Sequence, residues 1–163
     1  MSNIVYFSLW LVAALIAVAL ASATIARSLR LREVRRLKAL ELLDALARYS
    51  EWVAAQRRAS FFQGDGEGAS LPLEQARQIK QGWFPELVGD MVEILIVHNR
   101  LVDFMWNQQL LRLKDPEGWL ESDHDTRFLA LWRQHRYGIE GVELKLGLLT
   151  HMQEPEHEER QLA

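Results

Sequence analysis

The first 63 residues of this chain contain neither glycine nor proline, so the two residue types that most strongly break helices are missing from them. Within this region, residues 2–26 form an unbroken stretch without a charged side chain. A helix needs about 20 mainly apolar residues to cross the hydrocarbon core of a bilayer. The sequence therefore predicts a transmembrane anchor over residues 1–26.

A block of basic residues follows the apolar stretch directly. Residues 27–38 carry six basic side chains and one acid, a net charge of +5. Because Lys and Arg are enriched on the cytoplasmic flank of a span, the block predicts an outward-facing amino terminus and a cytoplasmic remainder at a bacterial inner membrane. Each basic side chain near the surface also attracts anionic lipid headgroups by about 1 kcal/mol. The six candidates for this lipid contact are Arg27, Arg30, Arg32, Arg35, Arg36 and Lys38.

A cleaved secretory signal is the alternative interpretation of the amino-terminal segment, because Ala21, Ser22 and Ala23 resemble a small-residue cleavage site. Two features oppose it. No Lys or Arg precedes the apolar stretch, and the stretch is longer than the roughly 7–15 apolar residues of a signal peptide. The basic block would also resist export. The sequence therefore favours an uncleaved, single-pass anchor.

Charge and cysteine content narrow the function classes. The residues after position 38 carry 13 basic and 21 acidic side chains, a net charge of −8. Nucleic-acid binding needs clustered Lys and Arg, so a nucleic-acid partner is not expected. The chain has no cysteine, which excludes disulfides, thiolate metal ligands and cysteine nucleophiles.

The sequence beyond the anchor predicts helices and no strands. Residues 27–62 are rich in Ala, Leu, Arg and Glu, which favour helix. One helix is therefore expected from about residue 4 to residue 62, continuing out of the anchor. Three closely spaced glycines, Gly64, Gly66 and Gly68, then indicate a flexible polar loop rather than a phosphate-binding motif, because no strand precedes them and no Lys-Ser/Thr ending follows.

Three further helices follow the glycine loop. Ser70 is expected to cap a short helix over residues 71–81. Apolar spacings of 4-3-4 predict long helices over residues 85–114 and 123–152. Residues 115–118, Asp-Pro-Glu-Gly, have the composition of a turn between these two helices.

Short connections between long helices favour antiparallel neighbours. The predicted fold class is therefore all-α, with one transmembrane helix that continues into a cytoplasmic antiparallel bundle of three long helices and one short helix. The predicted organisation is an anchor (1–26), a basic juxtamembrane helix (27–38), a helical bundle (39–153) and a disordered acidic tail (154–163).

The helix over residues 85–114 carries two apolar stripes. A helix that is apolar on so much of its circumference is typical of a central position, with neighbours on both stripes. The first stripe is Leu87, Met91, Ile94, His98, Leu101 and Met105, and the second is Val88, Val92, Leu95, Val102 and Trp106.

His98 and His135 are the candidate metal or haem ligands, because both fall on inward stripes of helices that should pack together. Helix lengths measured from the turn near residue 118 predict an offset of about one turn, roughly 5 Å, between them. The Glu-x-x-His signature of carboxylate-bridged metal bundles is absent, since Leu95 and Trp132 occupy the third position before each histidine. The favoured interpretation is two core histidines hydrogen-bonded to nearby polar groups, with no metal and no cofactor.

Other polar and small residues give no catalytic constellation. A pair of carboxylates from two helices is a weak candidate for acid–base work, but no nucleophile and orienting group accompany it. Gly138 and Gly141 lie one turn apart and would permit close approach of another helix, preferentially one within this chain. The carboxylates concerned are Asp44, Glu51, Asp90, Glu93 and Asp103.

The sequence favours a non-enzymatic, membrane-anchored interaction protein, an accessory or scaffold subunit of the inner membrane. Its expected partners are anionic lipid headgroups and either another protein or a second copy of itself. Two alternatives stay open: a small-ligand, metal or haem module that uses His98 and His135, and a single-pass sensor that transmits a signal along its first helix. No motif in the sequence points to a known family.

Overall fold

The computed structural model describes residues 2–57, 59, 61–64 and 66–151, and in this part the chain is all-helical without a strand. A single turn of 3₁₀ helix, Pro85–Leu87, leads into the third helix. The predicted acidic tail, 154–163, lies outside the described residues. The helices are α1 (Ser2–Gln56), α2 (Gly66–Trp83), α3 (Val88–Lys114), α4 (Pro116–Glu121) and α5 (His124–His151).

The chain divides into two compact units, Met1–Leu37 and Lys38–Ala163, and the boundary falls within α1. In the first unit, α1 contains a stretch near the amino terminus that is long and apolar enough to cross a membrane, and none of the side chains described in that stretch is buried. Three hydroxyl groups of this unit, those of Ser22, Thr24 and Ser28, are bonded locally: Ser22 Oγ donates to the Ala19 carbonyl at 2.9 Å, for example. Such bonds satisfy a polar side chain on an apolar helix without an outside partner.

The second unit has one hydrophobic core, to which all the longer helices contribute. α3 and α5 run antiparallel, because Lys145 pairs with Asp90 at 2.7 Å while the Phe104 and Phe128 rings lie 6.5 Å apart. From α1 the buried residues are Ala39, Leu42, Ala45, Leu46, Tyr49 and Val53. The apolar face of α1 therefore begins to be buried only at the start of this unit.

The segment between α1 and α3 differs from its predicted form. The first helix ends at Gln56 rather than near residue 62, and α2 begins at Gly66 rather than at residue 71. Ser70 is not a cap but donates to the Gly66 carbonyl within α2. A Cβ at Gly68 would lie 2.5 Å from Trp52 Cδ1, so the glycine lets the first turn of α2 pack directly on the indole of α1. The turn itself is made at Gly64, whose φ of +91° favours glycine.

The connection between α3 and α5 contains a helix that the sequence interpretation missed. Residues 115–118 were predicted to be a turn, but Asp115 caps α4 by accepting a 3.0 Å hydrogen bond from the Gly118 backbone N–H. Pro116 suits the first helical position, where no backbone donor is needed. The Asp-Pro composition thus starts a helix of six residues instead of closing a turn.

Candidate functional site

His98 and His135 lie in the core of the second unit, on either side of Tyr49 from α1. The Tyr49 hydroxyl and His98 Nδ1 are 3.1 Å apart, and the two rings meet edge-on with centroids 5.5 Å apart. The Tyr49 and His135 ring centroids are 5.0 Å apart. Two tryptophans extend the cluster: Trp132 stacks on His135 at 5.2 Å, and Trp52 lies 6.1 Å from His98. The structure therefore brings the two predicted histidines into one aromatic cluster.

The predicted offset of one turn between the histidines is wrong. Their hydroxyl partners, Tyr49 and Ser50, are consecutive residues of α1. A Cβ at Gly138 would lie 3.3 Å from Ile94 Cγ1, so these two residues lie at the same height on the antiparallel helices α5 and α3. His98 lies four residues after Ile94 and His135 three residues before Gly138, so the two histidines are at nearly the same height. The prediction failed because it measured both helices from residue 118, whereas that residue belongs to α4.

His135 is fully buried, and its environment keeps the imidazole neutral. Burial, together with smaller electrostatic contributions from Arg136 and His98, lowers the pKa of His135 from 6.5 to about 4. Ser50 Oγ lies 2.8 Å from His135 Nε2, while Nδ1 has no hydrogen-bond partner among the described residues. An unpaired lone pair is easier to accommodate than an unpaired N–H, so we assign the proton to Nε2, from which it is donated to Ser50.

Each histidine thus commits one ring nitrogen to a hydroxyl of α1. Burial also raises the pKa of the Tyr49 phenol above its ordinary range, so this hydroxyl stays protonated. Among the described residues, no group of three or more His, Asp or Glu side chains is placed to hold a metal ion. The favoured interpretation, two core histidines hydrogen-bonded to neighbouring polar groups, describes the observed arrangement.

The carboxylates considered for acid–base work are mostly engaged with cations or exposed. Asp44 pairs with Arg48 at 3.2 Å, and Asp90 pairs with Lys145 from α5. Glu51, Glu93 and Asp103 are exposed. Of the six residues of the basic block, Arg35 and Lys38 are half-buried, and Lys38 pairs with Glu41 at 2.6 Å. The other four are exposed: Arg27, Arg30, Arg32 and Arg36.

Of the two apolar stripes of α3, one is buried and the other is largely exposed. The inner face is buried in the core: Met91, Ile94, His98, Leu101 and Met105. A central helix would have its second stripe covered as well. Here only Val102 of that stripe is half-buried, and the other four residues are exposed. We call the exposed side of the helix the outer face. Its seven large apolar side chains are Val88, Val92, Leu95, Ile96, Trp106, Leu110 and Leu113.

The outer face runs almost the full length of α3. Exposure of its apolar side chains ranges from 38% at Leu95 to 67% at Leu113. Two polar residues, Asn99 and Asp103, interrupt it at mid-length, and both are exposed. Monomeric soluble proteins seldom expose a contiguous apolar patch of this extent unless it serves an interaction.

A cleft of about 430 Å³ opens at the end of the second unit where α1 stops. This volume lies within the range of small-molecule sites, roughly 300–1,000 Å³. α1, α3, α4, α5 and the segment after α1 all contribute to its wall. The aromatic side chains among its lining residues are Phe61, Phe62, Phe104, Trp119, His124 and Phe128.

Polar groups converge on the same cleft. Arg57 donates from both Nε and Nη2 to Asp125, each bond 3.1 Å long, and so links the end of α1 to the start of α5. Arg112 lies over the Trp119 ring, 5.1 Å from its centroid. Gln108 Oε1 is buried without a hydrogen-bond partner among the described residues. This combination of an apolar wall and a few fixed polar groups is typical of a ligand site.

Neither the cleft nor the outer face was identified from the sequence. The cleft depends on α4, which was interpreted as a turn, and on the early end of α1. The outer face was visible as a periodic stripe but was interpreted as buried. Two residues of the sequence indicate that this side of α3 is exposed: Asn99 and Asp103 are polar, which is unusual inside a core.

The glycines of α5 behave in two ways. Gly138 sits against Ile94 of α3, as the expectation of close internal packing required. A Cβ at Gly141 would meet no described atom within 4 Å, so the same expectation is wrong there.

Comparison with known proteins gives no match: no family model, no curated protein and no solved structure resembles this chain.

Proposed function

We propose that this protein is a non-enzymatic, single-pass membrane protein whose cytoplasmic antiparallel helical bundle serves as an interaction module. The single observation that supports this most strongly is the outer face of α3, seven large apolar side chains exposed along one helix. Exposure of apolar surface to water is unfavourable by about 25 cal/mol per Å². A partner that covers the outer face therefore stabilises the complex by about that free energy for each Å² it removes from water. The buried histidine cluster then stabilises the module rather than performing chemistry.

The proposed membrane topology rests on the sequence and on the exposure of the first unit. The apolar stretch of α1 is unburied, and Trp10 within it is 76% exposed. In a bilayer those side chains face lipid instead of water. The exposed arginines after residue 26 then lie at the cytoplasmic surface, in contact with anionic headgroups.

The absence of cysteine makes the topology directly testable. Asn3→Cys and Glu117→Cys each introduce a single thiol into the full chain. A membrane-impermeant maleimide added to intact cells should label Asn3→Cys and should label Glu117→Cys only after lysis. Labelling of Glu117→Cys in intact cells would contradict a cytoplasmic bundle.

The interaction function is tested by purifying the tagged full chain from native membranes in mild detergent and identifying the proteins that accompany it. A charge on the outer face, in Val92→Glu or Leu110→Glu, should abolish a stoichiometric association. Leu144→Glu is the matched control, because Leu144 is an exposed leucine of α5 outside this face. An association pattern unchanged by the outer-face variants would contradict the proposal.

A second candidate function, small-ligand binding, is favoured by the cleft and specifically by the unpaired Gln108 Oε1. The cleft suits a planar aromatic molecule with an N–H or O–H donor for Gln108. Anilinonaphthalene sulfonate, which has both features, is a suitable probe. Its fluorescence should fall in Gln108→Leu and persist in Val92→Glu if the cleft binds it, and the reverse pattern would assign the binding to the outer face. Metal or haem binding at the histidines would instead give bound metal or a Soret band in the purified protein.

A further inference from the structure

We propose that the outer face of α3 pairs with the same face of a second copy of this chain, parallel and in register, with Asn99 opposite Asn99. This inference rests on the proposed interaction function and names its partner. It follows from the spacing of the outer face, from the chemistry of its central polar residue and from the end at which the chain enters the second unit.

The spacing matches a coiled-coil seam. Positions 88, 92, 95, 99, 102, 106, 109 and 113 alternate in steps of four and three, which is the a and d pattern of a heptad repeat. After Asn99 the second unit already engages part of this series, since Val102 and Gln109 are half-buried and Trp106 packs on Phe62 with ring centroids 5.1 Å apart. The part of the seam that is open to a second copy is therefore mainly its amino-terminal half, Val88 to Asn99. Val92 then occupies an a position and Leu95 the following d position. Within parallel coiled coils, a β-branched residue at a with leucine at d favours the two-stranded state. The inner face follows the same spacing one residue earlier but is already occupied by the core of the second unit.

Asn99 is the feature that favours an identical partner. It occupies an a position, where a single asparagine fixes the register and the two-stranded state of parallel coiled coils. Its amide carries both a donor and an acceptor, so two copies can satisfy each other across a twofold axis. The only charged residue among the exposed outer positions from 88 to 113 is Asp103, so little repulsion opposes the pairing.

The position of Lys38 distinguishes the two possible orientations. α1 runs antiparallel to α5, because Ser50 contacts His135 while Arg57, one residue after α1, pairs with Asp125 near the start of α5. Since α5 is antiparallel to α3, α1 and α3 run in the same direction. Lys38 therefore lies at the level of the amino terminus of α3. In a parallel pair both copies present Lys38 at the same end, and both can continue into one membrane. In an antiparallel pair centred on residue 101 the two Lys38 residues lie at opposite ends, about 40 Å apart at 1.5 Å rise per residue.

Cysteine cross-linking in native membranes tests the pairing, because each introduced cysteine is the only thiol of its chain. Asn99→Cys and Val92→Cys should each form a disulfide-linked dimer under mild oxidation. Leu144→Cys is the control, since Leu144 is 70% exposed but lies on α5. We expect at least a tenfold higher dimer yield at positions 99 and 92 than at position 144.

Two results would overturn the inference. Equal yields at positions 99 and 144 would show that the outer face does not bind a second copy. Preferential cross-linking between separately tagged Val92→Cys and Leu110→Cys chains, above that of Val92→Cys with itself, would show antiparallel pairing. A third result would separate the two proposals. If Asn99→Cys forms no cross-linked dimer, but a different protein co-purifies with the wild type and not with Val92→Glu, the proposed interaction function stands and only the identity of the partner is wrong.

Discussion

The two faces of α3 carry similar residues at similar spacing, yet one is buried and the other is exposed. Leu101 on the inner face is 0% exposed, and Leu113 on the outer face is 67% exposed. The inner face meets α1 where His98 contacts Tyr49, and it meets α5 where Ile94 lies against Gly138. The outer face has no helix packed along it among the described residues, and its one ring contact is that of Trp106 with Phe62, whose centroids are 5.1 Å apart. The comparison shows that apolar periodicity identifies a surface that must be covered, but not which molecule covers it.

The largest expected effect distinguishes the two faces by truncating one leucine on each. Leu101→Ala leaves a cavity in the core and should lower the free energy of unfolding by about 2–5 kcal/mol. Leu113→Ala removes an exposed side chain and should change it by less than about 0.5 kcal/mol. Denaturant unfolding of both variants, followed by circular dichroism at low protein concentration, measures the difference. Equal losses would mean that the outer face is covered within the monomer.

A pH effect of similar size arises in the core beside the inner face, at His135 of α5. His135 is neutral in the folded protein, with a pKa of about 4, whereas the unfolded chain binds a proton near pH 6.5. Unfolding therefore takes up a proton between these values, so this contribution to stability is fully present above pH 6.5 and is lost as the pH falls towards 4. The loss amounts to about 3 kcal/mol, at 1.36 kcal/mol per pKa unit.

The carboxylates of the chain titrate in part of the same window, so the measurement is a difference between variants. Unfolding of wild type and His135→Leu should be compared between pH 7 and pH 4.5. The wild type should lose more stability than the variant. Parallel pH dependences would show that His135 is solvated or already protonated in the folded state. Association through the outer face should be unaffected until the fold itself is lost.

The smallest expected effect is a change in stability at two glycines of α5, and it shows how tightly α5 packs on the inner face. Gly141→Ala meets no described atom within 4 Å and should stabilise the protein by up to about 1 kcal/mol, the helix propensity difference between the two residues. Gly138→Ala places its methyl group 3.3 Å from Ile94 Cγ1 and should gain less or lose stability. Thermal melts of the two variants test this, and an equal gain would mean that α3 and α5 are not in close contact there.

The sequence predicted the helical class and most helix positions, because apolar spacing and the Gly and Pro positions act locally. It located His98 and His135 in the core for the same reason. It could not show that Tyr49 and Ser50 would meet them, since that depends on how α1 is rotated against two distant helices. The sequence analysis also missed α4, because an Asp-Pro pair such as Asp115 and Pro116 can begin either a turn or a helix. The cleft was missed with it.

The most direct test of the outer face as an interface between copies is the mass of the full chain in detergent, measured by light scattering with the detergent contribution subtracted. The protein mass should be twice 18.9 kDa for the wild type and for Leu144→Glu. It should be 18.9 kDa for Val92→Glu, with an unchanged helical circular dichroism spectrum. A wild-type chain that is monomeric at every concentration, or a Val92→Glu variant that stays dimeric, would contradict the proposed interface.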